Sequence, residues 1–559
     1  MATNPSALPI VWPPLVGTSV TLLAEGPAAS TTLGNTRALQ TALSAGGDIL
    51  LTEPGTYEFD VTDGPMTLPS NTSLYVGTGV TLKVADGSPS ALFTNATARS
   101  TPVTMAGANV TYGTAPDGSN YCAIVTNMAA ADAALFPVNS WVSVVTLGHG
   151  ALGIAGTAAQ GRGYRGVWKV VEQTINGARS GIKYEIDYYY PGSANPTADV
   201  LLYQANENVS IWGPGTIDGN GENADQDYNT GDPRGVVVWW RHVRTAVLSG
   251  LDWRRGATWA IGTNYVRGFF ARNMTCELNR DAPFAAVDFI HLSGYNRTVR
   301  IEDNSGSSGD NFVGMTIDCT EGTAYDFPYQ HPGDTYDIKI FRQTANCYTA
   351  ESPGAFGIVG IYGPAAYKHF DIEVVSTAGQ GSAGVQLAVY APTNQNLVTI
   401  GRLLIRDQST NANTQIEFTA GVYAIDTFIA ERVTLVSELN RGIRIPSTAT
   451  GTIREFVVNN MCLSPTDGTT YTRTVPFVNM GGLTINNFSM RGTEGVLQAI
   501  NTHVVTRDGD GTIGKISFVD VSATGSGTGA ATAALWQNTG DASVPTIQYT
   551  RCRSNGSAL

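Results

Sequence analysis

The chain has 559 residues, a formal net charge of −13, 63 glycines and only 14% charged residues, against roughly 25% in an average soluble domain. The acidic balance excludes a nucleic-acid binder, whose affinity rests on neutralising phosphates, and no stretch approaches the roughly 18 uninterrupted apolar residues of a membrane span. A single core rarely grows beyond about 250–300 residues, so the chain holds either several domains or a repeat whose units touch only their neighbours.

The opening "MATNPSALPIVWPPLVGTS" has neither a basic flank nor a cleavable apolar core, so no secretory signal is expected in the N-terminal segment, residues 1–34. "NTRALQTALSAGG" (35–47) is the best helix candidate, with Asn35 as N-cap and the glycine pair as its stop. "DILLTEPGTYEF" and "NTSLYVGTGVTLKVAD" read as first coils of a solenoid, to residue 98, and the helix would cover their open end. Residues 99–205 break the pattern with longer alternating strands such as "YRGVWKVVEQTI", which points to a small β-rich insertion.

From residue 206 to 505 strand-like segments recur, among them "NVSIWG", "TAVLSGLDW", "TVRIEDNS", "DIKIFRQT", "GRLLIRD" and "REFVVNNMCL", and the series continues through 506–559. Their starts lie roughly 23–40 residues apart, with short apolar pieces of a second kind between them: "WAIG", "DFIHL", "NFVGM", "GIVGIY". No helical period intervenes. An all-β parallel β-helix follows, in which each coil pairs with the coils above and below; an evenly spaced β-sandwich would not alternate two kinds of strand. The six cysteines are widely spaced without a CxxC pair and read as small buried apolar residues, so no disulfide framework, metal or cofactor is expected.

Two of the short pieces share a feature. "VDFIHL" sets Asp288 before Phe289-Ile290, and "GDNFVG" sets Asn311 before Phe312-Val313, 23 residues on. On adjacent coils Asp288 would lie beside Asn311, with Asp310 one position earlier. Successive strand residues point to opposite faces, so a bend at Gly309 is needed to bring Asp310 round to Asp288 at the outer surface. Two such carboxyl groups suit glycoside hydrolysis, one protonating the leaving oxygen and the other serving the nucleophile, and their repulsion keeps one protonated. Taken singly, each Asp reads as a turn residue bonded to local backbone; it is the pair, repeated in register, that points to chemistry. His291 suits an acid, a base, a sugar contact or a structural histidine. The long segment 318–337 would wall the groove, with Tyr325, Asp326, Tyr329, His331 and Asp334 as substrate contacts or as plain loop surface.

These residues resemble the motifs of polygalacturonase-like parallel β-helices and, more closely, of bacteriophage tailspike depolymerases. "NVSIWGPGTIDGNG" (208–221) resembles the coil that opens their catalytic region, and "VDFIHLSG…SGDNFVGM" their paired motif, an Asn-x-Asp segment followed one coil later by Gly-Asp-Asp. "GATWAIG" (256–262) resembles the preceding coil, with Trp259 as a cleft-lining aromatic. The likeness covers about residues 35–98 and 206–505. It implies a right-handed homotrimeric β-helix in a virion tail, assembled in the host cytoplasm beside other tail proteins. Such a spike depolymerises a bacterial capsule or O-antigen by hydrolysis, with Asp310 as general acid and Asp288 helping to hold the water. Arg441 and Arg444 in "NRGIRIPS" partly resemble an Arg-x-Lys substrate clamp, and Lys368 and the Arg254-Arg255 pair are weaker versions. The sequence departs from the pattern at Asn311, where the second carboxylate would stand, at Ala286 in place of Asn, and at "PGAFG" (353–357), which has no His. A polysaccharide lyase on the same fold, a non-catalytic receptor-binding spike and a secreted pectinase are the competing readings.

Overall fold

The computed structural model describes residues 18–21, 29–114, 121–146, 165–177, 180–186, 199–223, 235–256, 259–278, 288–316, 335–347, 357–362, 371–375, 378–380, 383–388, 397–410, 414–435, 441–463, 477–496, 504–507, 509–524, 535–538, 546–554 and 557–558. It is a parallel β-helix. Coils of the solenoid contribute short strands to one 25-stranded sheet and to sheets of nine and six strands, all parallel except the closing hairpin Arg553–Ser554 with Ser557–Ala558. Burial alternates along Thr72–Val76 and Val80–Val84, the period-two pattern of a half-buried strand.

One register column shows the winding. Ile49, Leu74, Ile211, Leu248, Ala271, Ile301, Ile340, Val374, Ile405, Ala430, Val458, Met490 and Phe518 are successive partners, and all are buried. Toward the C-terminus the interior carries a column of edge-to-face rings: Phe428, Phe456, Phe488 and Phe518 follow one another at 4.9, 5.3 and 6.2 Å between centroids. Such contacts contribute about 0.5–1.5 kcal/mol each beyond the area they bury. Among the described residues the pairing continues past residue 506, Asn479 with Thr506 and Phe488 with Ile516, so the C-terminal coils extend the same sheet.

The corner after this face is a left-handed residue in coil after coil. Asn273, Asp303, Arg342, Asp407, Arg432, Asn460, Asp520 and Arg551 all have φ between 51 and 56°. Asn and Asp tolerate this conformation better than most residues. The amide of each of the first seven donates to a carbonyl one coil on, for example Asn273 N–H to Glu302 O at 3.1 Å and Arg432 N–H to Asn459 O at 2.8 Å, which offsets the strain. Asp303–Arg342, Asp407–Arg432 and Asp520–Arg551 close bidentate pairs along this column.

Three expectations change. The helix runs Ala29–Ala45, so Asn35 is not its N-cap but an interior residue, 2% exposed, whose Nδ2 donates to Glu58 O at 3.3 Å. Leu39 and Leu43 share its buried face, and Gly46, at φ 72°, ends it as a C-cap glycine should. Part of the 1–34 segment is itself a rung, since Thr18–Ser19 pairs with Ile49 and Leu50. The two kinds of strand also fuse in the middle of the helix. Val236–Ser249, Trp259–Arg272 and Asp288–Glu302 each cross a corner as one strand, bent at left-handed residues such as His242, Tyr265 and Thr298.

The insertion is a seven-stranded antiparallel sheet between Val103–Met105 and Val200–Gln204, and the helix closes beneath it, Leu74 pairing directly with Ile211. Its neck is pinned where the chain leaves and returns: Asn206 Oδ1 accepts from Asn95 Nδ2 at 2.8 Å and from Thr97 N–H at 2.7 Å. Arg244, Arg267 and Arg297 stand in register on adjacent rungs beneath the rings of Trp141 and Trp168, at 4.9–5.9 Å. Burial, then the neighbouring Arg267 charge, lowers the proton affinity of the Arg244 guanidinium. The aromatic faces offset part of that cost.

Candidate active site

Three consecutive rungs build the site: Trp259–Arg272, Asp288–Glu302 and Val313–Thr316. Trp259 pairs with Asp288, and the column Trp239, Gly262, His291, Gly314, Gly360 runs across them. Its sequence neighbours Ile261, Ile290 and Val313 are fully buried, so the column faces away from the core. Pairing extends back from Ile290↔Val313 through Ile290 N–H to Phe312 O (3.1 Å) and Phe289 N–H to Asn311 O (3.3 Å). Asp288 therefore lies level with Asn311. The chain bends at Gly309 and Asp310, and Ser308 Oγ donates to Asp310 O at 2.9 Å across that bend.

The amide of Asn311 joins the two carboxyl groups. Its Nδ2 donates to Asp310 Oδ1 at 2.9 Å and to Asp288 Oδ1 at 3.4 Å. A carboxylate at this position would set a third acid against two others and supply no donor; the amide instead donates to both. Asp288 Oδ2 contacts His291 Nδ1, and His291 Nε2 lies 2.7 Å from Thr316 Oγ1. Trp259 covers the imidazole face to face, 3.6 Å between centroids and 3° from parallel, and Trp239 follows at 6.0 Å from Trp259.

Asp310 is half-buried, but Asp288 is not on the open surface as expected: its side chain is 4% exposed and that of His291 5%. The reason is Gly314. A Cβ there would stand 2.5 Å from Asp288 Oδ2 and 2.9 Å from His291 Nδ1, so the pair settles into space that any other residue would fill. We expect Gly314→Ala to displace the Asp288–His291 pair while the thermal midpoint moves only a few degrees, read by melting and by the 15N-histidine signals of the ring.

Burial sets the electrostatics. It pushes Asp288 up to about 8, partly offset by the side-chain and backbone hydrogen bonds of Asn311, and it pushes His291 down to about 3. Asp310 is raised well above the usual carboxylate range, first by burial and then by the Asp288 charge, with the Asn311 amide N–H opposing. The Asp288–His291 contact alone would also suit an ion pair, but desolvation outweighs it for both partners, so the pair is neutral near pH 7. Cys347, fully buried, has its Sγ 3.4 Å from Ser308 Oγ, and burial pushes its thiol up to about 12, which leaves it inert.

The other candidates are scattered. Tyr325, Asp326, Tyr329, His331, Asp334, Lys368 and Ala286 lie outside the described residues, as does most of "PGAFG". Arg444 stands five rungs from His291 along the column continued by Gln386 and Glu417, which is ~24 Å at the usual strand spacing. It is bound to Glu417 at 2.6 Å, and Arg441 is half-buried on the same rung as Arg444. Neither joins the carboxyl pair as a clamp. Arg254 and Arg255 are engaged by Asp252 and Asp218. Sequence reasoning missed Gly314, Thr316 and Trp239; the same 23-residue offset, applied to His291 and Ser293, finds the first two. Among the described residues no group of three or more His, Cys, Asp or Glu could hold a metal ion, and no helix is long and apolar enough to cross a membrane.

The fold and this site define a parallel β-helix with a carboxyl pair bridged by an amide on one outward face. No protein-family model matches the chain and no curated protein matches it. Solved structures that resemble it include the family 28 exopolygalacturonase of Yersinia enterocolitica, with 11% identity over 97% of this chain and 80% of that one, TM-score 0.35. The polygalacturonase of Erwinia carotovora gives 12% identity over 97% and 98%, TM-score 0.31. A tailspike of the Acinetobacter baumannii bacteriophage AP22, in complex with capsular saccharide, gives 11% identity over 90% and 76%, TM-score 0.38.

Proposed function

We propose that the protein is a tailspike-like hydrolase of a bacterial surface polysaccharide, acting as a homotrimer at the bacterial surface. Asp310 is the general acid, and Asp288, in its ionised form, holds and deprotonates the attacking water, so turnover should rise with pH toward about 8. One observation carries the reading: Asn311 ties together two carboxyl groups on adjacent rungs, both with raised proton affinity, beside an aromatic shelf of Trp239 and Trp259. Raised proton affinity lets Asp310 reach neutral pH as an acid, and its greater exposure fits the partner that meets the leaving oxygen. Stacked aromatics suit the apolar faces of sugar rings.

The test is incubation of the purified chain with a panel of capsular and O-antigen polysaccharides. At least one should shorten, with one new reducing end per cut and no absorbance gain near 235 nm. An unsaturated product would make the protein a lyase, and retention of polysaccharide on an affinity column without shortening would make it a binding spike.

A further inference from the structure

We propose that Trp259 is a positioning residue for Asp288: its indole walls water off from the Asp288–His291 pair and so sets the pH range in which Asp288 serves as a base. The inference rests on the hydrolytic reading above, which uses Trp259 only as part of a sugar shelf.

The pair is enclosed rung by rung. On the rung after it, Asn311 donates to Asp288 Oδ1 at 3.4 Å, and Gly314, level with His291, leaves the space into which both side chains settle. Thr316 Oγ1 occupies His291 Nε2 at 2.7 Å. The other side belongs to the rung before. There Trp259 is the register partner of Asp288, and Gly262 that of His291. Gly262 brings no side chain over the imidazole, and a Cβ at that position would collide with the Trp239 ring. The indole of Trp259 covers the imidazole instead, 3.6 Å away between centroids and 3° from parallel. Trp259 is half-buried whereas Asp288 and His291 are nearly sealed, so the indole stands between the pair and the cleft.

A flat ring in stacking contact leaves no room for water on that face of the imidazole. Removing it admits water to both members of the pair. Hydration favours the charged form of each, so Asp288 would ionise at lower pH and His291 would take up its proton at higher pH. Burial is the largest cause of both displacements, upward for the acid and downward for the imidazole. Opposite movement is the signature of a change in hydration, because a new neighbouring charge moves an acid and an imidazole the same way. Among the described residues, the titratable groups that face the pair are Asp310, through Asn311, and Cys347, whose thiol stays neutral. From its own rung Trp259 brings an uncharged ring.

Two measurements test this. In Trp259→Ala the acid limb of kcat/KM should move down by at least ~1 pH unit, a fraction of the 3–5 units that full burial can impose. Trp259→Leu should fall between Ala and wild type, and Trp259→Phe, which keeps a flat ring, should hold the limb near its wild-type place. Trp239→Ala removes the shelf ring that does not stack on His291, and should raise KM several-fold with the limb unmoved. A Trp259 that only holds sugar would behave like Trp239. Separately, 15N-histidine NMR of the substrate-free protein, with His291 assigned by His291→Gln, should show a neutral ring at about pH 4.5 in the wild type and a measurably protonated one in Trp259→Ala. An unmoved acid limb, or an imidazole as neutral in Trp259→Ala as in the wild type, would overturn the proposal. If no polysaccharide is cleaved, the hydrolytic reading falls, and the histidine signals still decide whether Trp259 keeps the pair dry.

Discussion

Asp310→Asn should abolish depolymerisation while leaving the protein folded and able to bind its polysaccharide. The change is isosteric, and the new amide oxygen still accepts the hydrogen bond that Asn311 Nδ2 now gives Asp310 Oδ1 at 2.9 Å. Ser308 bonds the backbone carbonyl of residue 310, which the substitution does not touch. What disappears is a dissociable proton. A positioned general acid contributes roughly 10²–10⁴-fold, so initial rates of reducing-end release should fall by at least ~100-fold, while the thermal midpoint stays level or rises, because burial raises the proton affinity of Asp310 too. Column retention of the intact polysaccharide should persist, because Trp239, Trp259 and the remaining cleft surface are untouched. Cleavage within a few-fold of wild type would remove Asp310 as the acid and with it the proposed mechanism. Loss of binding together with cleavage would instead make Asp310 a sugar contact.

Much of this arrangement is written in local sequence, and the rest is not. The repeat of strands and the offset between Asp288 and Asn311 are legible because a parallel β-helix converts sequence spacing directly into adjacency: Ile290 meets Val313 as counted. The depth of the site is not legible, because it depends on which residue the next rung leaves small. Gly314 seats Asp288 below the surface, and nothing in "VDFIHL" announces it. The helix start was misplaced for a similar reason. Asn35 has the chemistry of an N-cap, but its amide is used against Glu58 O, a partner 23 residues away. Arg444 looked like a clamp because a short motif carries no count of rungs, and coil lengths vary enough to place it far along the ladder beside Glu417.

Asp288→Asn should make the protein more stable at pH 8 than the wild type while inactivating it. An unfolded aspartate ionises near pH 3.9, whereas Asp288 keeps its proton up to about 8 in the folded state, chiefly because burial penalises the charge. Between those values unfolding releases a proton, so wild-type stability falls as pH rises, and the cost vanishes below about pH 4, where both states are protonated. At ~1.36 kcal/mol per unit, the penalty by pH 7 is on the order of 4 kcal/mol. The amide is neutral at every pH and keeps the contacts of the protonated acid, donating to His291 Nδ1 and accepting from Asn311 Nδ2 in the places Asp288 uses now. His291 acts with the opposite sign. Its folded value, pushed down to about 3, costs stability as pH falls below about 6.5, but it does so in both proteins and drops out of the comparison. Apparent melting temperatures should therefore coincide near pH 4 and diverge toward pH 8, with the variant higher. If Asp288 were an ordinary turn residue the two curves would run together, and if Asp288 and His291 formed an ion pair the variant would be the weaker protein at neutral pH. A residue that destabilises the fold and is nevertheless required for turnover is one whose burial serves the chemistry.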